Sequence, residues 1–184
     1  LGHHGLEVFD VEEIWTHGGS LRYFVRHAGE DGRGGRLAVT PRVAEMRERE
    51  RAAGVTSPAW YAGFGDRVER SKWALLEFLI EARREGKRVV GYGAPGKGNT
   101  LLNYCGIRAD LLEYTVDRNP HKHGMYLPGT RIPIHPPERI FETRPDFVLI
   151  LPWNLAEEIM AQMSGIREWG GQFVVPIPEA RVIG

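Results

Sequence analysis

Arg88-Val-Val-Gly-Tyr-Gly-Ala-Pro-Gly-Lys-Gly-Asn-Thr-Leu-Leu-Asn103 decides how the rest of the chain is read. Val89 and Val90 have the character of a buried strand. Gly91, Gly93, Gly96 and Gly98 follow as a turn in which backbone can approach a ligand closely. Asn99 to Tyr104 then reads as a helix. A helix start offers free N–H groups and the positive end of its dipole, so strand, turn and helix together predict an anion site. Lys97 adds a full charge inside the turn. A phosphate or carboxylate is the expected guest, held around Gly93, Ala94, Lys97 and Gly98.

Gly91-x-Gly93-x-x-Gly96 has the spacing of a dinucleotide fingerprint, with Asp117 where such folds place a ribose-binding acid. Pro95 and the extra Gly98 make this turn stiffer and longer than that pattern, and Lys97 replaces a small residue. The stretch is not a Walker loop either, because Gly98 follows Lys97 where Ser or Thr should stand. A turn that serves architecture alone is the remaining alternative.

Outward from this stretch, strand and helix alternate. Arg88–Gly91, Leu112–Val116, a short strand between Pro128 and Pro136, Asp146–Leu151 and Phe173–Val175 read as strands, the last closing the sheet. Glu138–Glu142 and Leu155–Met163 read as helices between them. Such alternation predicts an α/β domain of three layers around a doubly wound, mostly parallel sheet. Ligands bind such sheets at the carboxyl ends of the strands. Residues 93–100, 117–122, 152–154 and 176–179 meet at that edge.

Upstream, Leu6 to His27 reads as a β-hairpin turning at His17-Gly-Gly-Ser20, with Leu21, Tyr23 and Val25 on one face. Glu30 to Gly35 reads as a flexible linker and Val43 to Ala53 as a charged surface helix. Ser57-Pro58 signals a helix start. Tyr61 to Glu85 reads as one long helix whose stripe Phe64, Val68, Trp73, Leu75, Leu76, Leu79 and Ile80 belongs in the core. The expected domains are therefore residues 1–29 (hairpin), 30–57 (linker with charged helix) and 58–184 (sheet domain).

Composition narrows the function classes. Hydrophobic residues make up 42% of the 184 and charged residues 26%, as in a globular chain. Twenty-four basic residues balance 24 acidic ones, which argues against nucleic-acid binding through a basic face. No apolar run is long enough to span a membrane. Cys105 is the only cysteine, so no disulfide or cysteine-based metal site is expected, and a reducing, cytoplasmic setting fits. His121-x-His123 is too closely spaced for a metal site.

Few residues suggest catalysis. Asp117 is placed to accept hydrogen bonds from a ribose or sugar hydroxyl, or to cap its own turn at Asn119-Pro120. Arg118, His121 and Lys122 offer cations to phosphate. Trp153 could stack on a base or shield the strand end, and Asn154 could bind a ligand or cap the next helix. His17, beside Gly18-Gly19, is the one isolated candidate base, and a solvated turn histidine is the commoner case. No catalytic residue is assigned.

Three blocks resemble a known family: residues 91–103, then Asp117-Arg-Asn-Pro-His-Lys-His-Gly-Met-Tyr-Leu-Pro-Gly129, then Pro145-Asp-Phe-Val-Leu-Ile-Leu-Pro-Trp-Asn154. They look like the C-terminal domain of the sugar C-methyltransferases. Gly5-Leu-Glu-Val-Phe-Asp10 and His17-Gly-Gly-Ser-Leu-Arg22 are similar to the end of the preceding methyltransferase domain. The resemblance implies a Rossmann-like domain that helps hold a nucleoside-diphosphate sugar, with Lys97, Asn99 and Thr100 facing that ligand. In that family S-adenosylmethionine and the catalytic residues belong to a central domain, behind a zinc-binding one. This chain has neither the cysteine cluster nor the acidic residue before the glycines; Val89 stands there. It is therefore expected to be a C-terminal fragment that lacks the methyltransferase domain and is inert alone. The alternatives are an NAD(P)-binding oxidoreductase-type domain and a purely structural one.

Overall fold

Val89-Val-Gly-Tyr92 lies at the middle of a six-stranded sheet, paired on both sides. The computed structural model describes residues 1–29 and 38–184. These fall into two units, Leu1–Phe64 and Gly65–Gly184. The proposed Glu30–Gly35 linker lies outside the described residues, as does the side chain of His17.

In the first unit, β1 (Leu6–Ile14) and β2 (Ser20–His27) form the expected antiparallel hairpin, with an irregular register between Val8 and Asp10. Helix α1 (Pro41–Ala53) packs on β1 and buries Val43. Asp10 ties the two together. It accepts from Thr40 Oγ1 at 2.6 Å and pairs with Arg42. Tyr23 and Val25 do not cover a core but are exposed, because α1 packs against β1 instead.

The expected single helix from Tyr61 is two. A short α2 (Pro58–Ala62) starts at Ser57, whose Oγ accepts from Ala59 N at 3.3 Å, and ends at Gly63. Then α3 runs from Phe64 to Arg84. Its buried stripe is Leu75, Leu79 and Ala82. Trp73 is not core: it is 60% exposed, with the Lys72 amine 5.3 Å from its ring centre. The stripe turns with helical period, and Trp73 falls outside the arc that Leu75 and Leu79 define.

The second unit continues with β3 (Val89–Tyr92), α4 (Gly96–Cys105), β4 (Thr115–Val116), β5 (Ile134–His135), α5 (Glu138–Thr143), β6 (Phe147–Ile150), α6 (Ala156–Gln162), β7 (Gln172–Val175) and β8 (Arg181–Ile183). The order across the sheet is β5-β4-β3-β6-β7-β8, parallel except for β7 with β8. This is the expected mostly parallel, doubly wound architecture. Strand β7 does not close the sheet. Arg181-Val-Ile183 adds an antiparallel edge strand too short to show a period in the sequence. Strand β4 is also shorter than expected, and Leu112 precedes it as a buried loop residue.

Each face of the sheet is covered. On one side Leu75, Leu79, Leu102, Cys105, Leu149 and Leu151 cluster. On the other, Val90, Tyr92, Ile140, Ile150, Ile159 and Ile166 do so. Because α3 and α4 lie on the first side and α5 and α6 on the second, the strands must be apolar on both faces, as β3 and β6 are. At the amino ends, Arg88 grips Glu113 through two hydrogen bonds of 3.1 and 2.7 Å.

Candidate site at the carboxyl edge of the sheet

The chain leaves β3 in one direction towards β4 and β5, and returns through β6 on the other side of β3. The loops after β3 and β6 therefore flank the switch point, where open α/β sheets take ligands. Three of the four glycines near it answer to the protein itself. A Cβ at Gly91 would lie 2.7 Å from Thr115 Oγ1, and one at Gly98 would lie 2.7 Å from Leu151 Cβ. Gly93, at φ +88, would meet Pro152 Cδ at 2.6 Å. The glycine-rich turn is thus shorter than the sequence suggests: α4 already begins at Gly96. Pro95 supplies the extended N-cap conformation, and Gly98 lets the helix sit closely on Leu151. Gly96 differs, since a Cβ there would meet nothing within 4 Å.

The start of α4 has no side-chain cap. The first helical bond is Asn99 N to Pro95 O at 3.0 Å, so the N–H groups of Gly96, Lys97 and Gly98 have no intrahelical acceptor. Lys97 folds over this end. Its amine hydrogen-bonds Asn154 Oδ1 and lies 4.8 Å from the centre of the Trp153 ring. No carboxylate pairs with it among the described residues, and burial pushes its pKa down. One turn into the helix, Asn99 Oδ1 is buried without a hydrogen-bond partner among the described residues. Thr100 instead donates back to Gly96 O at 3.1 Å.

A second group knits the loops together. Asp117 accepts from Ala94 N at 2.8 Å, Asn119 N at 2.8 Å and Lys122 Nζ at 2.9 Å. Lys122 also donates to Ala94 O at 3.1 Å. Burial raises the Asp117 pKa, but the hydrogen bonds from Asn119, Lys122 and Ala94 outweigh it and the net shift is downward. Both roles weighed for Asp117 thus meet a carboxylate already holding three donors, one of them from its own turn. Arg118 turns away from Lys97 to the α6 side, 3.4 Å from Gln162 Oε1.

The candidates fall into two groups: Lys97, Trp153 and Asn154 at the helix start, and Ala94, Asp117 and Lys122 in the supporting loops. Gly93 and Gly98 are packing contacts beneath them, and Thr100 bonds along its own helix. Sequence reasoning passes over Gly96 as the open position. Among the described residues, no cluster of His, Cys, Asp and Glu could hold a metal, and no helix is long and apolar enough to cross a membrane.

Comparisons with known proteins agree with the resemblance seen in the sequence. The family model for the C-methyltransferase C-terminal domain matches residues 15–178. The chain is 42% identical over 180 residues to C-methyltransferase NovU of Streptomyces niveus, an alignment covering 98% of this chain and 42% of that protein. The chain thus spans about two fifths of that relative's length. Among solved structures, UDP-D-quinovosamine 4-dehydrogenase from Vibrio fischeri superposes with a TM-score of 0.40 at 17% identity, over 53% of this chain and 93% of that one. So low a score carries no argument about function. With nine-tenths of its length inside the family model, the chain belongs to the C-methyltransferase C-terminal domain family.

Proposed function

We propose that this chain is the substrate-holding part of an S-adenosylmethionine-dependent C-methyltransferase acting on a nucleoside-diphosphate sugar. On this reading the start of α4 seats the diphosphate. The observation that carries it is the uncapped helix start at Gly96, covered by a lysine that has no carboxylate partner among the described residues. Free N–H groups, the helix dipole and one cation all favour an anion there. Asn99 Oδ1, buried and without a partner among the described residues, would accept from a ligand hydroxyl. Trp153 and Asn154 steer the Lys97 amine. Lys122, Asp117 and Ala94 hold the loops in register.

The chain's own residues do not suit S-adenosylmethionine. Val89 stands where an acid would precede the glycines. Pro152 fills the space against Gly93, and three donors already occupy the Asp117 carboxylate. The cofactor would then be held by a domain outside this chain, which residues 1–29 would help complete, and this chain alone would not transfer methyl groups. The same features weigh against the dinucleotide reading. A cytoplasmic setting goes with this proposal, since Cys105 is free and buried.

Calorimetric titration with dTDP, UDP, NADH and S-adenosylmethionine tests the assignment. A pyrimidine diphosphate should bind, and Lys97→Ala should weaken it by about 1.5–3 kcal/mol, the scale of a lost charge-assisted hydrogen bond. NADH binding instead would favour the oxidoreductase-type reading, and silence from all four the structural one. Methyl transfer by the isolated chain would disprove its inertness.

A further inference from the structure

Helix α3 buries Leu75, Leu79 and Ala82 and turns its opposite side outward, away from the sheet. On that outer side Arg70, Trp73, Glu77, Ile80 and Arg84 are all exposed, at alternating spacings of three and four. This is the rhythm of a seam that meets another helix. Trp73 is 60% exposed and Ile80 40%, one heptad apart among charged residues. Exposed apolar side chains are ordinary when they stand singly. Here they belong to a shape. Glu77, Ile80, Glu81 and Arg84 stand at i, i+3, i+4 and i+7, the four corners of a hole that takes a knob from a facing helix. With Glu85 they line a hollow of about 490 Å³. A cavity of about 150 Å³ already holds a benzene ring, so an indole fits.

Trp73 does not fill this hollow in its own helix, because helical side chains lean towards the N-terminus and the hollow lies on the C-terminal side. The Lys72 amine stands 5.3 Å from the Trp73 ring centre and 5.2 Å from that of Tyr104. The indole is thus held against neighbours while still exposed, which lowers the entropy cost of docking it. Charge then says which helix faces it. Arg70 and Glu81 share one flank of the stripe, and Glu69 lies on the other beside Arg84. None of these four forms an ion pair among the described residues. An antiparallel copy of α3, related by a two-fold axis beside Glu77, brings Arg70 of each copy to Glu81 of the other. The same placement brings Glu69 towards Arg84 and lays Trp73 over the hollow. Two-fold symmetry makes every one of these contacts twice. Glu77 alone meets its own copy, near the axis.

We propose that the outer face of α3 is an interface with a second copy of this chain. The two helices run antiparallel, and Trp73 of each copy sits in the hollow between Glu77 and Arg84 of the other. The inference does not depend on the proposed ligand site. A contact confined to one helix per copy lies below about 1,200 Å² of buried surface, so the association is reversible rather than permanent.

Sedimentation equilibrium of the whole chain between about 1 μM and 1 mM tests it. The wild type should pass from monomer to dimer within that range. Trp73→Ala should raise the dissociation constant about tenfold or more, as loss of a central aromatic anchor does. Its melting temperature in dilute solution should stay that of the wild type, because the indole is mostly exposed. Glu81→Arg sets two arginines against each other on each side of the axis and should weaken the dimer about fivefold. Adding Arg70→Glu to that variant should restore it, and Glu77→Gln, which removes the like charges at the axis, should tighten it. A wild type that stays monomeric would overturn the inference and leave this face to a different partner. A dimer of unchanged affinity in Trp73→Ala would overturn it too, as would a charge swap at positions 70 and 81 that restores nothing.

Discussion

Gly93 and Pro152 touch so closely that a Cβ on residue 93 would lie 2.6 Å from Pro152 Cδ. This contact joins the loops after β3 and β6 across the switch point. It makes the floor of the proposed site a piece of packing that holds its form without a ligand.

Gly93→Ala should therefore destabilise the chain itself. Overpacking costs about 1–3 kcal/mol, and the positive φ of residue 93 adds about 1 kcal/mol for a residue bearing a Cβ. Urea denaturation of the variant should show a midpoint well below the wild type. An unchanged midpoint would mean that the loops separate at little cost.

Gly96→Ala should behave in the opposite way. Its Cβ meets nothing within 4 Å, and alanine in a helix is favoured over glycine by about 0.5–1 kcal/mol. Stability should rise slightly while affinity for a diphosphate drops, because the methyl group takes up part of the open space at the helix start that the anion would use. A variant that is more stable and binds equally well would move the anion away from the helix start.

Much of this architecture was legible beforehand. The apolar runs at Val89-Val90 and Phe147–Ile150 could only be strands buried on both faces, and the Ser57-Pro58 start was written in side-chain chemistry. What escaped the sequence was mostly a matter of which neighbour came near. Gly91, Gly93 and Gly98 look alike as letters, yet Thr115, Pro152 and Leu151, distant in the chain, decide their use. Trp73 and Leu75 are both apolar, and only the helix's orientation exposes one and buries the other. Three residues of β8 give too short a run to carry a pattern. That residues 93–100 and 152–154 meet at one edge followed from the strand pattern, but the direct contact of Lys97 with Trp153 and Asn154 depends on β3 and β6 being neighbours, which no local motif encodes.

Lys97 predicts a pH effect. Its pKa is pushed below the ordinary 10.5 by burial, so the amine loses its charge at a lower pH than a free lysine. Affinity for a diphosphate should hold at neutral pH and fall as the pH rises through that lowered value. Lys97→Arg stays charged over this range, so its binding curve should lack the alkaline fall. The same fall in both proteins would assign it to another group.

Asp117 predicts an acid effect on stability. Its folded pKa lies below 3.8. The stabilisation is therefore fully present above about pH 3.8 and is lost as pH falls through the lowered folded value. Asp117→Asn should be less stable than the wild type at neutral pH, with the gap closing in strong acid. Chemical denaturation of both proteins between pH 2 and 7 measures it; a constant gap would show that the carboxylate's charge contributes nothing.

The most direct measurement is a backbone and side-chain NMR titration of the chain with dTDP. Binding at the start of α4 should shift the amide signals of Gly96, Lys97 and Gly98 and the side-chain amide of Asn154, with smaller changes at Ala94 and Asn119. Saturable shifts that leave residues 96–98 unmoved would contradict the proposed diphosphate seat.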